Sequence, residues 1–554
     1  MSQLSLSEQS FNTLLVIIFI CLLGIDLETC LVGTVIDIIR LNVENFGYVG
    51  KGEIELAPIT LFIGPNNTGK SYTAMFLYAS IESMIESIQK IIREGFLRFI
   101  EMKDLGNLLE KLVNEYREKA QSLAKEPKSH RKNEELNKLL GEFVERGMEL
   151  YINELNKLLN SKNFKKLVIE EIERVFSSRI TDLVRRGSSE MRANIKLKGK
   201  FFELSCDLKV SMPKPRIKQD RNANLDIKLT AKTDAILGSL EKGVKERYYR
   251  LFRVITSRRV TSEEFLPYLP YLLEILEDLL EDLEIDFAKF DIHYLPASRA
   301  GILYSYRTVA SAIIKSVPSM PIRGAEIPSV PGTLADFLAE LISLDPRAIN
   351  ISDELKEIIE SLEEILEGSV ELVRRGDISL PEPIYRSKEF EFPLSNVSSM
   401  IAELSPLDLY LKYGSIKKND ILIIEEPEAH LHPDKQAKLI EVLTLLAKRL
   451  GVRVIITTHS DVILNKLSNL VMAGSSNAPE FRVALKPEDV KIYNFRKDEG
   501  YSIVEEVKVS ETGIRDDVFK KIIEELYEEH MKLYYRVQKL RAGGRIRDCE
   551  EDKD

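Results

Sequence analysis

Residues Gly64 to Ser71 read GPNNTGKS, and residues Glu425 to Pro433 read EEPEAHLHP. The first stretch satisfies G-x-x-x-x-G-K-[ST] and sits between an apolar, strand-like run (ITLFI) and a helical pattern, the context in which such a loop binds phosphate. Gly64 and Gly69 let the backbone wrap an anion after Pro65, and the amide N–H groups of Asn66, Asn67, Thr68 and Gly69 line the cradle with the following helix N-terminus. Lys70 would reach the terminal phosphates, Ser71 would ligate Mg²⁺, and Tyr72 follows on the helix. The alternative is a glycine turn that merely caps a helix. Taken alone, the second stretch admits three readings: a metal site, a catalytic acid pair, or a polar turn.

These readings narrow once the elements that must carry the residues are considered. Four consecutive aliphatics (ILII) precede Glu425, as in a strand buried on both faces. If that strand lies beside the phosphate-loop strand, its terminal carboxylates emerge at the edge of the sheet where ligands bind. Glu425 would then orient Mg²⁺ and Glu426 would polarise the attacking water, the division of labour that phosphoryl transfer requires. No N-K-x-D guanine-reading motif is present, and Lys70 and Glu425 are too far apart in sequence for a compact kinase. An ATPase with a large insertion remains. Zinc at His430 and His432 is disfavoured, because an i, i+2 pair in a turn lacks the helical spacing of common metal pairs.

In this order the residues resemble ATPases of the ABC type in the SMC/RecF/OLD group, over about residues 36–80 and 385–530. The resemblance implies an α/β P-loop NTPase fold that uses ATP and Mg²⁺ and forms a homodimer around the nucleotide. It assigns the signature to SNVSSMIAEL, where Ser398 or Ser399 would meet the γ-phosphate held by a second subunit, although Met400 stands where the usual signature has glycine. It assigns the switch histidine to His459, in IITTHS, and a D-loop meeting the partner subunit to Glu428, His430 and His432. No Q-loop glutamine is identifiable. The segment YLPASRAG is the best lid candidate, with Ser298 or Arg299 touching phosphate or the partner subunit; a capping serine beside a surface arginine is the competing reading.

The chain has 554 residues, is 44% hydrophobic and carries a net charge of -10, enough for several domains and a large core. Period changes divide it into an ATPase domain at 35–80 and 377–530 and a mostly helical insertion at 81–290 with a small β-subdomain at 192–232. A lid-like strand and helices follow at 291–376, and a helix end with a disordered tail at 531–554. Heptads are not sustained for long enough to predict an extended coiled-coil arm. Residues 1–34 include FNTLLVIIFICLLGI, too short to span a bilayer comfortably and lacking a basic n-region. Translation starting near Val35, or a weak anchor, would account for it, and no stable membrane insertion is expected. Four scattered cysteines with no CxxC pair fit the reducing cytoplasm.

The substrate is less legible. Residues 179–221 hold twelve Lys or Arg against five Asp or Glu. Lys196, Lys198 and Lys200 alternate with apolar residues, so one strand face would be basic: a DNA-backbone contact, or solubilising lysines on an exposed strand. The function expected is an ATP-switched dimer engaging DNA or a protein partner in genome maintenance or antiviral defence. An OLD-like nuclease would need an acidic Toprim domain after His459, and a transporter's ATP-binding subunit would not carry so large an insertion.

Overall fold

A computed structural model describes residues 37–99, 156–199, 202–212, 223–231, 290–304, 331–348, 351–374, 381–476, 478–515 and 518–548, with single residues between 115 and 153. The apolar extension and much of the helical insertion lie outside these residues. Sixteen strands are described. The first six are β1 (Ile38–Phe46), β2 (Val49–Glu55), β3 (Ile59–Ile63), β4 (Glu190–Lys198), β5 (Phe202–Ser211) and β6 (Ala223–Ala231). Then come β7 (Ile292–Leu295), β8 (Ser369–Val373), β9 (Glu382–Arg386), β10 (Glu391–Pro393), β11 (Ile421–Glu425) and β12 (Arg453–Thr457). The chain continues with β13 (Val490–Asp498), β14 (Tyr501–Val507), β15 (Val509–Ser510) and β16 (Gly513–Ile514). The long helices are α1 (Lys70–Phe99), α2 (Lys162–Phe176), α3 (Gly332–Ser343), α4 (Asp353–Leu366), α5 (Ser399–Lys412), α6 (Pro433–Leu450), α7 (Asp461–Ser476) and α8 (Val518–Asp548).

Eleven strands form one sheet in the order β6-β5-β4-β1-β2-β14-β13-β3-β12-β11-β7. From β7 to β13 the neighbours are parallel. These strands are short and apolar because both their faces are covered. Ile421 and Ile423 of β11 join a core with α1 and α2, whereas Leu422 and Ile424 join a second core with α3 to α7. The period-two alternation therefore distributes one strand between two cores, and no residue of ILII is left for solvent.

Register decides where the site forms. Glu425 pairs with Thr457, and Thr457 pairs with Phe62, so β11, β12 and β3 end along one edge. One expectation is corrected here: β11 does not adjoin β3, because β12 lies between them. The carboxylates still emerge on the same edge, since all three strands run parallel.

The β-subdomain does not stand apart. β4 pairs antiparallel with β1 from Ile38↔Lys198 to Glu44↔Arg192, so β4, β5 and β6 extend the main sheet. Ile195 and Leu197 are buried against the α1–α2 face, which leaves Lys196 on the outside. That outer face is mixed. Register sets Arg192, Lys196, Lys198, Lys209 and Lys228 among Glu190, Glu203, Asp207 and Asp226, and Glu190 pairs with both Arg192 and Lys209. The basic row expected from one strand is thus balanced across strands; Lys200 and residues 213–221 lie outside the described residues.

β8, read within the lid-like segment, pairs with β9 of the ATPase portion in a separate three-stranded sheet. After His459 the described residues build α7, two strands of the main sheet, the β15–β16 hairpin and α8. They form no further acidic domain. Helix α8 runs to Asp548, through much of the segment read as a tail; its leucines, lysines and arginines are good helix formers. Among the described residues no helix is long and apolar enough to cross a membrane.

Candidate functional site

The loop from Gly64 to Gly69 joins β3 to α1. Gly64 has φ +128°, and a Cβ there would sit 2.6 Å from the Phe495 carbonyl oxygen on β13. Only glycine fits. Thr68 Oγ1 donates to the Pro65 carbonyl (2.9 Å), and Ser502 Oγ donates to the Thr68 carbonyl (2.6 Å), which ties the loop to β14. Pro65, Asn66, Asn67, Ser71 and Tyr72 are exposed at the rim. Tyr72 packs its ring on Phe46 and Phe176.

Lys70 folds back on its own loop, with Nζ donating to the carbonyls of Gly64 (2.9 Å) and Pro65 (2.8 Å). Burial lowers its pKa to about 8, against the opposing charges of Glu426 and Glu428. His459 is lowered too, by burial and then by the Lys70 charge, with Glu426 opposing. Lys70, Glu426, Glu428 and His459 therefore share one electrostatic neighbourhood although nearly 400 residues separate the first from the last.

Glu425 ends β11 almost fully buried. Its Oε2 accepts from the Ala297 amide (3.3 Å), and its Oε1 is buried without a hydrogen-bond partner among the described residues. Glu426 is half-buried at φ +42°, a strained conformation for a residue with a side chain. Its amide donates to the Thr457 carbonyl (2.9 Å), which pins the turn to β12. An orphaned carboxylate oxygen and the Ser71 hydroxyl are the hard donors that Mg²⁺ takes, so the residues fit the ion.

Glu428 departs from the expectation of a partner-facing residue. Its Oε1 accepts from Thr458 Oγ1 (2.7 Å) and from the His459 amide (2.7 Å), and burial raises its pKa. It points inward and fixes the segment that follows β12. His430, at φ +62°, and His432 are exposed on the following turn, where His432 Nδ1 lies 2.5 Å from Asp434 Oδ1 at the start of α6. Ser398 caps α5 by accepting from the Ile401 amide (3.4 Å), and Ser399 begins the helix; both stand at its N-terminus as the signature reading requires.

Arg299 corrects both sequence readings of the lid. It is 0% exposed, so it is neither a surface arginine nor a group offered to phosphate or a partner subunit. Its guanidinium pairs with Glu403 of α5 (2.8 Å) and donates to the carbonyls of Glu425 (2.8 Å), Pro296 (2.8 Å) and Glu403 (3.0 Å). The Glu403 carboxylate also accepts from the Ala300 amide (2.9 Å). The arginine thus ties α5 to the end of β11. Ser298 is exposed at φ +60°.

Two further groups escaped sequence reasoning. Gln436 on α6 accepts from Ser460 Oγ (2.6 Å) and so braces the residue after His459; the only signal was a glutamine one turn past His432. His293 on β7 is buried between Glu340 (2.7 Å) and Asp420 (3.1 Å), at the opposite end of β11 from the loop. Burial acts to lower its pKa, and the two carboxylates override this and raise it to about 10.

A glycine loop between a parallel strand and a helix, with two glutamates at the end of a second parallel strand of the same sheet, is the arrangement of a P-loop nucleotide-binding domain. The chain belongs to the AAA ATPase domain family, whose model matches residues 37–464. Among solved structures it is similar to the SMC head bound to the C-winged helix domain of ScpA, at 13% identity and TM-score 0.36 over 85% of this chain and 98% of that one. It is also similar to the SMC head domain from Thermotoga maritima (9%, TM-score 0.34, 85% and 99%). A third is the Smc head with an extended coiled coil bound to the C-terminal domain of ScpA derived from Pyrococcus furiosus (12%, TM-score 0.34, 88% and 99%). No curated protein matches the sequence.

Proposed function

We propose that the protein hydrolyses ATP to ADP and phosphate, dimerises around the nucleotide, and uses that cycle to switch engagement of a macromolecular partner. The observation that carries the reading is the buried Glu425 carboxylate at the end of β11, whose Oε1 lacks a well-formed hydrogen bond although the Tyr294 hydroxyl and the Arg299 charge act on the same group. A desolvated carboxylate oxygen is costly unless a cation completes it. The strand-end edge where it lies also carries the phosphate loop and a second glutamate.

In this reading the amide N–H groups of residues 66–69 hold the β-phosphate, and Lys70 exchanges the carbonyls of Gly64 and Pro65 for phosphate oxygens. Ser71 and Glu425 would hold Mg²⁺, which when bound would supply charge neutralisation at the phosphates. Glu426 orients a water and accepts its proton, with its backbone pinned to β12 so that the carboxylate is held in place. His459 contacts the γ-phosphate on a segment braced by Glu428 and Gln436. Ser398 or Ser399 of a second copy, backed by a helix N-terminus, completes the site. The exposed His430 and His432 meet that second copy.

For the partner, the balanced outer face of β4 to β6 favours a protein over DNA, because a phosphate backbone needs a row of unneutralised cations. Hydrolysis by the Mg²⁺-loaded protein, read together with sedimentation of the Glu426→Gln variant in ATP, tests the proposal. Turnover in the native protein and an ATP-dependent dimer in the variant support it. Undiminished turnover in the variant shows that the base lies elsewhere, and sedimentation that ATP leaves unchanged removes the sandwich.

A further inference from the structure

We propose that α8 is a homodimerisation helix that packs antiparallel against α8 of a second copy and holds two chains together without nucleotide. This contact is separate from the one around ATP. Leu526, Leu533 and Leu540 recur every seven residues, and His530 and Val537 fall on the intervening positions of the same stripe, a short two-heptad seam. The stripe is uncovered: Leu526 is 60% exposed, Leu533 54% and Leu540 70%. A helix this apolar along one side is marginal alone in water, and a continuous exposed stripe marks a contact surface.

Charge names the occupant. In the heptad register Glu529 and Arg536 flank the seam on one side, and neither forms an ion pair among the described residues, whereas the neighbouring Lys532 pairs with Glu528. In an antiparallel pair these flanking positions face their own kind, so Glu529 meets the partner's Arg536 and Arg536 meets the partner's Glu529. Leu526 then packs on the partner's Val537, and Leu533 on the partner's His530. A parallel pair would set Arg536 against the partner's Arg541, like against like. One polar residue in the seam, His530, adds register specificity. From residue 526 to residue 540 the contact is about 21 Å long, about four turns of helix.

The test is sedimentation velocity of the full chain without nucleotide or Mg²⁺ at micromolar concentrations, with binding of a fluorescent ATP analogue as the check on folding. The expected result is a dimer that Leu533→Glu converts to monomer, with unchanged analogue binding. Glu529→Arg and Arg536→Glu should each weaken the dimer about tenfold, and the double exchange should restore it to within about threefold. A monomeric native chain, a Leu533→Glu variant that still dimerises, or a double exchange no tighter than the single ones overturns the proposal. So does a monomer that co-sediments with phosphatidylglycerol vesicles through Leu533, which would make a bilayer the cover. The ATP-dependent dimer of Glu426→Gln is scored in the Leu533→Glu background, where the α8 contact is absent, so either contact can fail without the other.

Discussion

Replacing Arg299 with methionine removes a cation that the fold encloses completely. Glu403 keeps the Ala300 amide at 2.9 Å but loses a guanidinium at 2.8 Å, and both side chains are 0% exposed. Breaking one partner of a buried pair typically costs about 3–5 kcal/mol, because the remaining charge stays desolvated. Against a total stability of about 5–15 kcal/mol that is a large fraction. Exchanging both residues, Arg299→Met with Glu403→Leu, removes both charges of the pair and should recover most of the loss, to within about 1–2 kcal/mol of the native chain. The assay is denaturant unfolding of the native chain, both single variants and the double variant, with ATP hydrolysis measured on each. Hydrolysis should not return with stability, since the double variant still lacks the donor to the Glu425 carbonyl that holds the end of β11. A single-variant cost below about 1 kcal/mol would refute the argument that the pair is desolvated. Full activity in the double variant would show that Arg299 does not position Glu425.

The other predictions concern binding, turnover and pH. Lys70→Ala should abolish ATP binding in calorimetry; unchanged affinity would remove the phosphate-loop assignment. In the native chain ATP affinity should fall above pH 8, by up to about tenfold per pH unit, because free Lys70 loses its proton at about 8 and must regain one to bind phosphate. A flat profile from pH 7 to 10 would contradict this. Glu426→Gln should slow hydrolysis by about a hundredfold or more in single-turnover assays while ATP stays bound. His293, raised from 6.5 to about 10, contributes stability that is whole below about pH 6.5 and is lost as pH rises toward 10. His293→Gln should therefore flatten the stability–pH curve in that window, and a curve as steep as that of the native chain would assign the loss to other groups.

The local pattern carried much of the site. GPNNTGKS needs particular residues at adjacent positions, and ILIIEE announces both burial and the chemistry at its end, so these signals survive without knowledge of the fold. Ser398, at a helix start, was legible for the same reason: capping is decided within four residues. Partners remote in sequence were not legible. Arg299 and Glu403 are 104 residues apart, and nothing in SRAG or in MIAELSPL shows that one will enclose the other. Glu428 read as a D-loop residue meeting a second subunit because its partners, Thr458 and His459, arrive on the segment that follows β12. The charge balance of that sheet face was not legible from one strand, because besides Glu190 its carboxylates belong to β5 and β6 and are set beside β4 by register.

By itself, then, the sequence determined that this chain holds a nucleotide phosphate loop, an acidic strand end and a switch-like histidine, since each is a contiguous word with its own physical chemistry. Only the tertiary structure decided that β12 separates the strands bearing the first two, that Arg299 lies inside and Glu428 points inward, and that three further strands lengthen the main sheet. Such features depend on which strand ends share an edge and which buried charges find each other, and strand order and register are settled by packing across hundreds of residues.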